Sequence, residues 1–86
     1  MSRLDTIKAQ MMEIAKQLND MAQAMHSCSQ NLTQQVAAVS SAIGGTASNE
    51  DTQLVASIQL AKNSVDAAAN QLLDASQKAK DWASKA

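Results

Sequence analysis

His26, Ser27 and Cys28 stand in succession and bring together the side-chain types of covalent catalysis, an imidazole base beside a hydroxyl and a thiol that could attack. Residues one and two apart on a helix point in different directions, so this run forms no catalytic dyad. His26 is expected in solvent, and Cys28 is expected as a small buried hydrophobe. One histidine and one cysteine in 86 residues are too few, with the scattered carboxylates, to build a metal site. Gly44-Gly45 follows no strand and reads as a turn signal, not a phosphate cradle. Glu50 and Asp51, and Asp74 with Lys78 at i, i+4, read as helix-end and surface charges. The chain is therefore expected to be non-enzymatic, with no catalytic residues, no metal and no cofactor.

The elements that carry these residues must be helices. The composition is 45% apolar with Trp82 as the lone aromatic, no proline and two adjacent glycines. Ala, Gln, Ser, Lys and Asp fill the remainder, which favours helix and leaves little for strands. A net charge of −1 and a pI of 5.6 offer no field for a polyanion, so nucleic acid is excluded as a partner. A single cysteine closes no disulfide within the chain. Arg3, Asp5, Lys8 and Glu13 interrupt any apolar leader at the start. No run approaches the roughly 18 apolar residues that a membrane-inserted helix requires.

Apolar residues recur at steps of three and four: Leu4, Ile7, Met11, Ile14, Leu18, Met21, Met25, Cys28, Leu32, then Gln35, Val39 and Ala42. The second half repeats the rule with Leu54, Ile58, Ala61, Val65, Ala68, Leu72, Ala75, Ala79, Trp82 and Ala86. None of the seven basic or eight acidic residues falls on either seam. This is a heptad pattern, and it predicts two long amphipathic helices, near 2–42 and 49–84, with a turn near 43–48. Ser2-x-x-Asp5 and Ser48-x-x-Asp51 read as N-terminal caps. Helices of matched length joined by a short loop should form an all-α antiparallel hairpin. Pairing the seams about Ala47 predicts that Leu18 faces Ala75, Met25 faces Ala68, and Trp82 faces Met11. Methionine on such a seam reads as core filler.

One stripe per helix is too little core for a stand-alone domain of this size. A second surface is therefore expected, built from off-seam residues Met12, Ala15, Ala22, Val36 and Ala38 on the first helix and Val55, Leu60, Ala69 and Leu73 on the second. Dimerisation of two hairpins into a four-helix bundle would use both stripes.

A short helical hairpin with a glycine-bearing motif at its midpoint, here Ile43-Gly44-Gly45, resembles the WXG-type (ESAT-6-like) small proteins of type VII secretion systems. The glycine of the Trp-x-Gly turn is kept, and Ile43 stands where the family has tryptophan. The family's C-terminal export element, Tyr-x-x-x-Asp or Glu, has its nearest counterpart in Trp82-x-x-x-Ala86, which keeps the aromatic and lacks the acid. The resemblance implies a binding module that is cytoplasmic before export and is then secreted without a cleavable signal peptide. Its partners would be another helical hairpin, as homo- or heterodimer, or the helical N-terminal domain of an LXG-type toxin. A self-associating coiled-coil scaffold unrelated to secretion fits the same helices.

Overall fold

The computed structural model describes residues 2–43 and 49–86. Helix α1 spans Arg3–Ile43 and helix α2 spans Asn49–Lys85, beside expected bounds of 2–42 and 49–84. Gly44, Gly45, Ala47 and Ser48, on which the turn motif and the second cap rest, lie outside the described residues. At the start of α1 the Asp5 amide donates to Ser2 Oγ at 3.1 Å, and the Thr6 amide donates to the Ser2 carbonyl at 3.2 Å. Ser2 is thus an N-cap that satisfies an amide the helix itself leaves free. With no proline or glycine within either helix, nothing interrupts 41 and 37 residues of regular backbone.

The two helices form a hairpin 66 Å long with cross-section extents of 15 and 13 Å. Antiparallel packing follows from the links between them. Ser76 near the end of α2 bonds Ala15 near the start of α1, while Asp66 lies a few turns earlier and reaches Ser29.

The contact line is made of small residues. Ala15, Ala22 and Ser29 on α1, and Ala69, Ser76 and Ala83 on α2, are the buried residues of the described chain. Each set recurs every seventh residue, so it lies along one line of its helix. Small side chains let the backbones approach closely, and the Ser76 hydroxyl donates to the Ala15 carbonyl at 2.7 Å. Ser76→Ala should lower unfolding stability by about 1 kcal/mol, because that carbonyl is left in its own helix and loses only an added donor. Urea unfolding of the variant checks this.

This contact line corrects the sequence-based assignment in two ways. Ala15, Ala22 and Ala69, expected to face a partner, are the helix–helix core, and Val36 and Val55, on the same lines, are half-buried. The Leu and Met seam, expected between the helices, lies beside the contact instead: Ile14 is 44% exposed and Met21 50% exposed. Cys28 is exposed, not buried. The physical reason is that two helices alone pack closest along their smallest residues, and large neighbours are displaced to the flank. Lys62 also falls on the α2 contact line, half-buried, its ammonium 2.9 Å from Asp66 Oδ2.

Candidate protein-binding face

The flank beside the contact line is the most distinctive surface of the described residues. On α1, Met11, Leu18, Met25, Leu32 and Val39 are half-buried, each four residues before or three after a contact-line position. Ile14, Met21 and Cys28, one step further round, are exposed. On α2 the same offsets select Ile58, Val65, Leu72 and Ala79, half-buried, then Leu54, Ala61 and Trp82, exposed. In an antiparallel pair equal offsets on the two helices turn to the same side. The two seams therefore merge into one apolar face along the hairpin, and the one charged side chain at the same offsets is Asp51, half-buried four residues before Val55.

The opposite side is polar. Gln23, His26, Asp66, Asn70 and Leu73 line a shallow groove whose floor is Ala22 and Ala69. His26 is exposed and pairs with Gln30 through their ring and amide nitrogens at 3.3 Å. The Ser29 hydroxyl, and then the Lys62 ammonium, hold the Asp66 carboxyl below the usual carboxylate range. A carboxyl lowered by folding stabilises the pairing above its unfolded pKa and loses that contribution as pH falls through the lowered value. Asp66→Asn should accordingly show a smaller fall of the thermal midpoint on acidification than the parent, which scans from neutral pH to about pH 2 would measure.

The other residues singled out in the sequence are scattered. Leu60 is 67% exposed, well away from the apolar face. Met12 is exposed, and Leu73 lines the polar groove beside Ala22 and Ala69, so of the expected surface only Ala22, Ala69 and Leu73 come together there. Trp82 is 42% exposed at the far end of the apolar face, and the Ala86 amide donates to its carbonyl at 3.0 Å, joining the two ends of the proposed export element in one helical turn. Ile43 is half-buried and ends α1. The ion pair of Asp74 and Lys78, 2.9 Å long, is exposed on both sides and contributes little.

Ser29 and Ser76 were not singled out by the sequence reading. Their signal was present in the seven-residue repeat of Ala and Ser beside the Leu and Met seam, but polar side chains carry no weight in an apolar pattern. Among the described residues no three His, Cys, Asp or Glu side chains converge as a metal site, and no described helix is long and apolar enough to cross a membrane. Comparison with known family models, curated proteins and solved structures found no match to this chain.

Proposed function

We propose that the chain is a non-enzymatic helical binding module whose apolar face receives another helical hairpin, completing a four-helix bundle. One observation carries this reading: among the described residues every buried side chain is Ala or Ser, and no large side chain is fully buried. The residues able to supply most of the hydrophobic stabilisation, Ile14, Met21, Leu54 and Trp82 among them, remain between 42 and 50% exposed. Burying such a side chain is worth about 1.5–3 kcal/mol, so the sequence invests its apolar side chains in a surface that only a second layer can cover. A long apolar face on a small chain, with its one charge, Asp51, confined to one end, is the mark of an interaction site.

Within this reading we further propose a role in type VII secretion, as a small exported substrate or as the targeting partner of a toxin's helical N-terminal domain. The resemblance of the hairpin and of Ile43-Gly44-Gly45 and Trp82 to the WXG-type pattern supports it. The chain would be cytoplasmic before export. Light scattering over a range of concentrations tests the binding reading, with more than one hairpin per particle expected. A well-folded monomer at every concentration contradicts it. Appearance of the chain in the medium of a host with a type VII system, lost when that system is inactivated, tests the secretion role. Release that is indifferent to the system leaves the scaffold reading in its place.

A further inference from the structure

Independently of the binding reading, we infer that the hairpin consists of two units of unequal stability. Residues 3–29 and 62–85 form a platform, and residues 30–43 and 49–61 form a turn half that opens by local unfolding while the platform stays folded. Ser29, Lys62 and Asp66 clasp the helices at the boundary. Burial marks the division. The Ser76–Ala15 bond sets the level of one helix against the other. Seven-residue steps along the two contact lines then set Ala22 against Ala69, Ser29 against Lys62 and Val36 against Val55. Every buried residue of the described chain belongs to the platform, and Ser29, 4% exposed, is the one nearest the turn. Val36 and Val55 beyond it are half-buried, since paired branched side chains hold two backbones further apart than paired alanines do.

Local helix strength divides at the same level. The turn half carries Thr33, Val36, Val39 and Ile43 on α1 and Thr52, Val55 and Ile58 on α2, whereas the longer platform carries Thr6, Ile7, Ile14 and Val65. Branching at Cβ restricts the side chain against the preceding turn and weakens a helix. Beside the clasp, each helix also carries a hydroxyl bonded back to a carbonyl four residues earlier. Thr33 Oγ1 donates to the Ser29 carbonyl and Ser64 Oγ to the Leu60 carbonyl, both at 3.2 Å, a contact that competes with the helical ladder and bends it. The platform is braced instead by pairs four residues apart, Gln17 with Glu13, Lys78 with Asp74 and Gln77 with Asp81. The clasp itself joins the Lys62 ammonium to Asp66 at 2.9 Å and Asp66 to Ser29 across the hairpin. It ties α1 to α2 where the line of buried small residues ends. Residues 44–48 join the two helices covalently, so opening of the turn half is loss of helix and not separation of intact helices. It releases Val36 and Val55 to solvent, which lets this half reshape around a bound molecule while the platform keeps its form.

Amide hydrogen exchange of the full-length chain, read residue by residue by NMR at low urea, tests the division. Amides at 34–42 and 53–60 should exchange at least about tenfold faster than those at 12–26 and 66–80, and with a smaller dependence on urea, because local opening exposes less surface than global unfolding. Equal protection in the two halves, or exchange of the turn half with the full urea dependence of global unfolding, overturns the inference. Simple fraying is confined to about the last turn of a helix, so fast exchange restricted to 40–43 and 49–52 overturns it too. Asp66→Asn tests the clasp. It should carry fast exchange across the boundary to 26–29 and 62–65 while 12–22 and 69–80 remain the protected set. A loss of protection shared equally by both halves, or none at the boundary, overturns the clasp.

Discussion

Ala22→Leu is expected to lower the stability of the hairpin by at least about 1–3 kcal/mol, the usual cost of forcing extra methylenes into a packed contact. Ala22 is 2% exposed at the middle of the line where the helices approach. A leucine there has no free volume on the partner helix, whose facing residues are Ala69 and its neighbours. The backbones must separate, and neighbouring Ala15 and Ser76 lose their 2.7 Å hydrogen bond as well. For a small domain this is a large fraction of the total stability, and it should appear as a fall in the thermal midpoint and in helical signal. Ala61→Leu, on an exposed position, should leave hairpin folding nearly unchanged and act on association alone. An unaltered midpoint for Ala22→Leu would mean that the helices pack along the Leu and Met seam after all.

The second large effect is expected from Met21→Asp. Met21 is half-exposed in the single hairpin, so an aspartate there is tolerated by the chain itself. Once a second hairpin covers the face, the same carboxylate is desolvated with no cation on the face to meet it. An unpaired buried charge costs about 3–5 kcal/mol, which corresponds to roughly a hundredfold or greater loss of affinity. Light scattering should then report a halved particle mass at concentrations where the parent is assembled. Leu60→Asp serves as the control. Among the described residues Leu60 is the most exposed large apolar side chain and stands off the face, so its substitution should leave the mass unchanged.

These two variants also mark the border between what the sequence made legible and what it did not. The all-α hairpin was readable, because period, composition and the absence of proline and interior glycine all pointed the same way. The Ser2 cap was readable too, from one serine placed three residues before an acid. The orientation of each helix about its own axis was not. Residues such as Ala15 and Met11 lie on neighbouring lines of α1, and apolar periodicity assigns the centre to the larger side chain. In a pair of helices with no further layer, the centre goes to the residue that permits the closest approach. That choice put Ala15, Ala22 and Ala69 inside and turned Met21 and Cys28 outward. Three residues of the expected partner surface, Ala15, Ala22 and Ala69, thus belong to the contact between the helices. Ser29, Ser76 and Asp66 were missed because their roles depend on contacts across the hairpin, between residues distant in sequence.

A hairpin whose best apolar residues face outward cannot gain its full stability alone, and this ties the fold directly to the binding reading. The most direct test is the thermal midpoint of the purified chain measured across a hundredfold range of concentration, alongside its solution mass. If the apolar face is covered by another hairpin, folding and association are linked, and the midpoint rises with concentration as the assembled state is favoured by mass action. A sharp midpoint that does not move with concentration, in particles of 9.1 kDa, would contradict the account: the open face would then need no partner.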